Sequence, residues 1–173
     1  MKLIIDLIDR LGKDDISPID ILLAACRDLA NKTAADLTSI WFYNESHSAI
    51  ECACRYEKEN DSFSSGQLLY EKDYPTYFKT IDTDKFLIIP DARNHPATAE
   101  FTDPYFIEND IYSLLDFTIH DKRHLTGIIC CEKTGEIYHW EEDDHSYLRQ
   151  LSTLISHYID HRELTIRSPE NSI

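Results

Sequence analysis

The stretch from residue 86 to residue 132 constrains the fold most, because apolar runs alternate there with polar breaks. A short apolar run, FLII, is followed by a polar segment over residues 91–110 that includes Pro96 and Pro104. Two further apolar runs, YSLLDFTI and LTGIICCEK, flank the charged sequence HDKRH. This order predicts a strand, a lid of one or two helical turns within irregular chain, and a β-hairpin. A sheet under such a lid is suited to holding a small molecule.

Helices flank a first hairpin in the preceding part of the chain. Ser17 before Pro18 is typical of an N-cap, and the helix that it opens is predicted to end near Asn31. Its predicted buried stripe comprises Ile19, Leu22, Leu23, Cys26 and Leu29. ADLTSIWFYN and AIECACRYEK predict a hairpin, ENDSFSSGQ predicts a loop, and DYPTYFKTID predicts a helix with Pro75 in its first turn.

A long helix is predicted to close the fold, and the whole is predicted to be one α+β domain. EDDHSYLRQLSTLISHYIDHRELTIR has acids in its first turn, as the helix dipole favours. The predicted order of elements is ααββαβ, the lid, and ββα. Over the 173 residues we expect an amphipathic helix at residues 1–16, the domain proper at residues 17–163 and a tail at residues 164–173.

Charge and cysteine content narrow the classes of function. The 32 acidic residues against 17 basic ones give a net charge of -15 without a dense Lys/Arg stripe, so we expect no nucleic-acid binding. The 5 cysteines include no CxxC pair, which argues against a disulfide framework and a zinc site. No apolar stretch is long enough for a membrane span or a signal peptide, so we expect a cytoplasmic protein without membrane contact.

Several phrases in a fixed order resemble the GAF domains of bacterial sensor proteins, over residues 17–163. These phrases are SIWFYNESHSAIEC, DYPTYFKTI, IIPDARNHPATAEF and SLLDFTIHDKRHLTGIICCE, the last leading to HWEEDDHSYL. The resemblance implies a PAS-like fold, with a central antiparallel sheet, the terminal helices on one face, and a ligand pocket under a lid on the other face. It also implies a sensory or regulatory domain.

The resemblance places the pocket under residues 91–111. The lid candidates for ligand binding are Asp91, Asn94, His95, Thr98, Phe101 and Tyr105. The candidates for the floor are Trp41 and the alternating set Ser113, Leu115 and Phe117. Aromatic residues that flank the pocket are Tyr74, Tyr77, Phe78, Phe101, Tyr105 and Phe106.

Three polar positions have alternative interpretations. Asp91 and Asn94 fit a turn in which their side chains bend the backbone through local hydrogen bonds. Asp116, a carboxylate within SLLDF, either faces water or needs a partner if it is buried.

Departures from related GAF domains bear on the ligand. Lys133 and Asp144 match a structural ion pair of the cyclic-nucleotide-binding members, but Glu132 stands where those members have Asn, and Trp140 where they have Phe. The lid contains no cysteine, which argues against bilin attachment and against free methionine sulfoxide reductase activity.

The cysteines and two histidines are further candidates for redox chemistry and metal binding. Cys52 and Cys54 alternate on one predicted strand and are expected to share a face, whereas Cys130 and Cys131 are expected to face opposite sides. Core packing is the usual role of such cysteines. His157 and His161 have a spacing that can share a metal, but they lie opposite the predicted apolar face of Leu148, Leu151, Ile155 and Tyr158, so we expect no metal site.

The sequence therefore predicts a non-catalytic, small-molecule-sensing or regulatory domain without a cofactor. We expect an unidentified small ligand, a homodimer formed through the first and last helices, and a separate signalling protein as partner, because no output domain follows residue 163. The alternative is a small redox enzyme on the same fold that uses Cys130 or Cys131, in the manner of free methionine sulfoxide reductases.

Overall fold

The computed structural model describes residues 5, 6, 9, 16–121 and 124–158. Most of the predicted helix at residues 1–16, the tail at residues 164–173, and His161 lie outside the described residues. None of the described helices is long and apolar enough to cross a membrane.

A single antiparallel sheet forms the centre of the domain, as the sequence predicts. Its strands in the described residues are β1 (Leu37–Tyr43), β2 (Ala49–Glu57), β3 (Ser62–Ser64), β4 (Leu68–Tyr70), β5 (Phe86–Ile89), β6 (Ile111–Asp121) and β7 (His124–Thr134). The strand order is β3-β2-β1-β7-β6-β5, and β4 also pairs with β2. The two long strands β6 and β7 pair directly, so the hairpin predicted around HDKRH is confirmed.

The short strand β3 lies within ENDSFSSGQ, which the sequence predicted to be a loop, and the short strand β4 follows directly after it. Both strands pair with the edge strand β2, and their side chains are mostly exposed. Backbone bonds between Cys52 and the chain at Gly66 and Gln67 hold the connection in place. Because backbone pairing rather than side-chain burial forms these strands, the sequence carries no apolar alternation that could reveal them.

Three helices accompany the sheet in the described residues: α1 (Pro18–Lys32), α2 (Pro75–Asp84) and α3 (Glu142–Tyr158). At the start of α1 the Ser17 hydroxyl accepts a bond from the Asp20 N–H, and the Asp20 carboxylate accepts one from the Ser17 N–H at 3.0 Å. This reciprocal capping box confirms the predicted helix start. The predicted stripe is partly wrong, because Ile19 lies at the margin of the buried face and is 38% exposed. The buried residues are Ile21, Leu22, Ala25, Cys26, Leu29 and Ala30.

The two faces of the sheet carry separate cores. On the first face α1 and α3 pack on the sheet, and we call this the helix-side core; its sheet residues include Ile40, Leu115 and Ile129. On the second face α2 and the lid pack on the sheet in the lid-side core, which includes Ile50 and Ile128. This layering matches the predicted arrangement of terminal helices and lid on opposite faces.

The lid, residues 91–110, contains a 3₁₀ turn (Ala99–Phe101) followed by a π turn (Thr102–Phe106), in agreement with the predicted short helical turns. The Glu100 carboxylate accepts bonds from the backbone N–H groups of Thr76 and Tyr77 and from the Thr76 hydroxyl at 2.6 Å. Those N–H groups belong to the first turn of α2, which lacks partners for them within the helix. The lid therefore caps α2 and is joined to it by these bonds.

A β-bulge in β2 overturns the prediction that Cys52 and Cys54 share a face. Along β1, Ile40 pairs with Cys54 and the next residue, Trp41, pairs with Cys52, so Ala53 is the extra residue. The bulge reverses the alternation, and Cys52 lies in the lid-side core while Cys54 lies in the helix-side core. There the Cys54 sulfur contacts the Cys26 sulfur at 2.7 Å.

The ion pair that the family resemblance implied between Lys133 and Asp144 is not formed. Lys133 pairs with Asp36 at 2.9 Å, and the Asp144 carboxylate accepts a bond from the Glu141 N–H at the start of α3. Burial by itself would raise the pKa of Asp36, but bonds from Lys133 and Thr134 outweigh it, so the pKa lies below its ordinary value. Asp144 thus acts as a helix cap, and Lys133 joins β7 to the start of β1.

Candidate ligand cavity between sheet and lid

A cavity of about 190 Å³ lies between the lid-side face of the sheet and the lid. Its walls are mainly apolar and aromatic, with a few polar side chains among them. The lining residues are Ser39, Trp41, Ile50, Arg55, Gln67, Leu69, Tyr74, Tyr77, Phe101, Pro104, Tyr105, Phe106, Leu114, Asp116, Cys130 and Glu132. Such a composition is typical of small-molecule sites.

Four polar side chains cross the floor of the cavity in one line, which we call the floor row. Arg55 on β2 pairs with Ser39 on β1, Ser39 pairs with Cys130 on β7, and Cys130 pairs with Asp116 on β6. Since residues directly opposite one another on neighbouring strands lie on the same face, sheet register alone brings the four together. Glu132 adds a second carboxylate, two residues beyond Cys130 on β7.

Asp116 is fully buried at the β6 end of the floor row. Its Oδ2 accepts a bond from the Tyr77 hydroxyl at 2.7 Å, and its Oδ1 has no partner among the described residues. Burial raises the pKa of the carboxyl to about 7, although the Tyr77 hydroxyl and the Cys130 thiol partly oppose the shift. Of the two alternatives for Asp116, exposure to water is therefore wrong. The carboxyl is buried, and its Oδ1 needs a partner.

Glu132 and Arg55 form the other charged part of the cavity. Glu132 is 6% exposed, and the Tyr105 hydroxyl donates to its Oε2 at 2.9 Å. Burial raises the pKa of Glu132 to about 7 against the opposing influence of Arg55 and Tyr105. The Arg55 guanidinium lies 5.7 Å from the centre of the Tyr105 ring, and its buried Nε has no partner among the described residues.

Aromatic rings supply flat surfaces around these polar groups. Tyr74 and Phe101 stack with ring centres 4.1 Å apart, and Tyr77 meets Phe101 edge to face at 5.1 Å. On the floor, the Trp41 indole N–H donates to Ser39 Oγ at 2.7 Å, which orients the indole along the sheet. The cavity thus presents planar apolar walls to a ligand.

The structure brings three of the predicted site residues, Trp41, Phe101 and Tyr105, to the cavity. The other lid candidates make local contacts instead and do not line the cavity. Asn94 donates to Asp91, His95 Nδ1 accepts from the Ala97 N–H, and the Thr98 hydroxyl donates to the Ala92 carbonyl. Asp91, Asn94, His95 and Thr98 therefore shape the turn after β5, the interpretation that remained open for Asp91 and Asn94.

The predicted floor residues of β6, which are Ser113, Leu115 and Phe117, do not line the cavity. Leu115 lies in the helix-side core with Phe117 packed against it, while Leu114 and Asp116 face the cavity. Ser113 donates to the Pro90 carbonyl at 2.6 Å and accepts from the Tyr138 N–H, and it does not line the cavity. Because both faces of β6 are largely buried, apolar residues occur on both of them, and the sequence does not reveal which set faces the lid.

Sequence reasoning missed Arg55, Glu132, Ser39 and Cys130 as lining residues, and it noticed Asp116 without assigning it. The available signal was a charged residue inside an otherwise apolar strand: Arg55 in CACRYE, Asp116 in SLLDF and Glu132 in ICCEK. Such residues are rarely buried without a partner, so together they mark one face as polar.

The cysteines are poorly suited to nucleophilic chemistry. Burial raises the pKa of Cys130 well above its ordinary value, and the neighbouring Asp116 and Glu132 carboxyls raise it further. Burial likewise raises the pKa of Cys131, which lies in the helix-side core. A thiol that stays protonated is a weak nucleophile.

The predicted last helix carries the histidines whose spacing could share a metal ion. His157 is exposed on α3, and its predicted companion His161 lies outside the described residues. Within the described ranges no group of three His, Cys, Asp or Glu side chains is arranged to hold a metal ion.

A sheet with terminal helices on one face and a lidded cavity on the other defines a layered α+β domain with a candidate ligand site. The family model of the GAF domain matches residues 17–159, and the chain belongs to this family. A comparison with curated protein sequences gives no match.

Solved structures resemble the whole domain. The GAF domain of a phosphoenolpyruvate-protein phosphotransferase from Coxiella burnetii has a TM-score of 0.68 at 16% identity, covering 91% of this chain and 93% of that one. The GAF domain of a two-component sensor histidine kinase from Bacillus halodurans has a TM-score of 0.66 at 20% identity, covering 86% and 97%. The phycocyanobilin-bound GAF domain of a cyanobacterial phytochrome has a TM-score of 0.69 at 14% identity, covering 91% and 94%. At these identities the likeness establishes the fold.

Proposed function

We propose that this GAF domain is a non-catalytic sensory or regulatory module that binds a small molecule in the cavity between sheet and lid. One observation carries the proposal: an apolar cavity contains two buried polar atoms, Asp116 Oδ1 and Arg55 Nε, without partners among the described residues. An unsatisfied buried polar group costs about 1–3 kcal/mol. A ligand that bonds to these atoms removes that penalty as it binds.

The contacts around the cavity provide a route for a signal. A ligand touching Phe101 and Tyr105 bears on the lid, which is tied to the start of β6 because Arg93 Nε donates to the Ile111 carbonyl at 2.6 Å. On the opposite face β6 contacts α3, where the His120 N–H donates to Ser156 Oγ at 3.1 Å. A ligand that favours one arrangement of the lid therefore biases α3 through β6.

The test is native mass spectrometry of the freshly purified protein, followed by thermal unfolding with candidate compounds. A ligand at 100 times its dissociation constant adds about 2.7 kcal/mol to the free energy of unfolding. Leu114→Trp, which fills the cavity, should abolish the stabilisation, and Leu115→Met, on the opposite face of β6, should retain it. An empty protein that no compound stabilises, or stabilisation that survives Leu114→Trp, contradicts the proposal.

A cysteine-dependent reductase on the same fold is the second candidate, favoured by the position of Cys130 in the cavity floor. The raised pKa of that thiol opposes it, because a reductase of this kind needs a thiolate. We rank it below ligand sensing for this reason.

We propose a cytoplasmic homodimer formed through the first and last helices, with the signal passing to a separate protein. The amphipathic pattern of the first helix in the sequence supports this arrangement. Size measurement by light scattering, with and without residues 1–16, tests it, and a monomer in both cases contradicts it.

A further inference from the structure

The two carboxyls of the cavity differ in how their charge is compensated. Arg55 acts on Glu132, whose pKa it lowers against the larger effect of burial, and Tyr105 donates to the same carboxyl. Asp116 accepts a bond from the neutral Tyr77 hydroxyl, and its cross-strand neighbour Cys130 is also neutral. Glu132 adds further negative charge near Asp116 when it ionises. The unmet demand for positive charge and for a hydrogen-bond donor is therefore concentrated at Asp116.

Sheet register keeps the guanidinium away from this demand. Ser39 on β1 and Cys130 on β7 lie between Arg55 and Asp116 in the floor row. Three strand spacings separate their backbones by roughly 14 Å. Among the described residues that line the cavity, Arg55 carries the only cationic side chain, and it faces the Tyr105 ring.

The walls near Asp116 limit the shape and size of what can supply the missing donor. Tyr77, which bonds Asp116, packs edge to face against Phe101, and Phe101 stacks on Tyr74. These rings present flat apolar surfaces beside a buried acceptor. The cavity of about 190 Å³ is smaller than the roughly 300–1,000 Å³ of drug-sized sites, which restricts the ligand to one or two rings.

We propose that the cavity binds a small planar nitrogen base, an amino-substituted heterocycle of one or two rings, whose N–H groups donate to Asp116 Oδ1. This inference rests on the proposed function, since it names the class of ligand for the same cavity. The ring lies against the aromatic wall, and a protonated ring nitrogen supplies the positive charge that Asp116 lacks. Anionic ligands are disfavoured beside Asp116, because Asp116 and Glu132 repel them when they are ionised.

Calorimetric titration with three probes of similar size tests the ligand class. We use 2-aminobenzimidazole as the nitrogen base, benzimidazole as its analogue without the exocyclic amino group, and indole-2-carboxylate as an anion. The wild-type protein should bind 2-aminobenzimidazole more tightly than benzimidazole, and both more tightly than indole-2-carboxylate. Tighter binding of the anion overturns the ligand class while leaving a ligand-binding cavity, so the proposed function survives that result.

Matched variants locate the contact. Asp116→Asn removes the charge with little change of shape. It should weaken the binding of 2-aminobenzimidazole by roughly 10- to 100-fold, as expected for loss of a hydrogen bond to a charged group. Glu132→Gln should weaken it less, and Asp103→Asn, an exposed acid of the lid, should leave it within about twofold. An unchanged affinity in Asp116→Asn overturns the inference.

The indole N–H signals in ¹H–¹⁵N spectra report the site independently of affinity. Trp41 lies in the cavity floor and Trp140 lies in the helix-side core, so only the Trp41 signal should shift with 2-aminobenzimidazole. Trp41→Phe assigns the two signals. If 2-aminobenzimidazole shifts neither signal while another class of compound shifts Trp41, the ligand class is wrong and the cavity still binds. If no compound shifts Trp41 or stabilises the protein, both this inference and the proposed function fail.

Discussion

The two faces of the sheet are both buried, but they bury different kinds of side chain. On the helix side, strand residues such as Ile40, Leu115 and Ile129 pack against α1 and α3 without exposure. On the lid side, Asp116 and Glu132 are buried beside an open cavity. The helix-side face is therefore fully packed. The lid-side face retains a cavity and unsatisfied polar atoms to which a ligand can bond.

The largest expected effect comes from truncating the packed face. Leu115→Ala should lower the free energy of unfolding by up to about 5 kcal/mol, because it leaves a new enclosed cavity in the helix-side core. Leu114→Ala is the matched control and should cost only about 2 kcal/mol, since its side chain borders space that already exists. Urea unfolding of the two variants measures the difference. Equal losses would show that the two faces are packed alike.

A smaller effect, dependent on pH, is expected on the lid side. The pKa of Asp116 rises from an ordinary 3.8 to about 7 on folding, so the folded state holds the proton more tightly than the unfolded state. Protonation of Asp116 therefore makes its full contribution to the free energy of unfolding below pH 4. This contribution falls by about 3–4 kcal/mol as the pH rises to about 7. Asp116→Asn should remove this part of the pH dependence. The part due to Glu132 should remain, because its pKa is also about 7.

Urea unfolding at a series of pH values between 4 and 8 checks this prediction. Asp103→Asn, which changes an exposed acid of the lid, is the control and should keep the wild-type profile. A wild-type profile in Asp116→Asn would mean that Asp116 is ionised at little cost in the folded protein.

A still smaller effect is expected from removing one helix cap on each face of the sheet. Ser17→Ala removes the cap of α1, and Glu100→Ala removes the cap that the lid provides to α2. Each should cost about 1 kcal/mol. Only Glu100→Ala should also speed hydrogen exchange in residues 91–110, because it releases the lid from α2. Equal exchange in the lid of the two variants would contradict the link between Glu100 and α2.

The smallest response is expected from the cysteines when the native protein meets a neutral thiol reagent at pH 7. All 5 cysteines are buried, and burial raises the pKa of Cys130 well above its ordinary value. We expect slow labelling of the native protein and fast labelling after unfolding in urea. Cys130→Ser should therefore leave the native labelling rate nearly unchanged. Fast labelling of Cys130, together with turnover of a sulfoxide, would favour the reductase instead.

Much of the fold was predictable because its signals are local. The capping pair Ser17 and Asp20 opens α1, Pro75 lies in the first turn of α2, and the apolar run at Phe86 forms β5. The site was less predictable. The sequence indicated a cavity under the lid. The prediction placed the wrong set of alternating β6 residues on the cavity face, and it did not include Arg55 or Glu132.

The physical reason lies in the period of a strand. Alternation shows that neighbouring residues such as Leu114 and Leu115 point to opposite faces, but it does not show which face is which when both are buried. Bulges then shift the phase without a mark in the sequence, as at Ala53, which separates Cys52 from Cys54.

By its sequence alone this protein is determined to be a GAF domain, with two hairpins, the strand at Phe86, the capped start of α1 and a lid before the last hairpin. These features follow from local propensity and from the order of motifs along the chain. Only the tertiary structure decides that Arg55, Ser39, Cys130 and Asp116 form one row, because that depends on register between strands far apart in sequence. The unsatisfied Asp116 carboxylate, and with it the proposed nitrogen base, follows from that register.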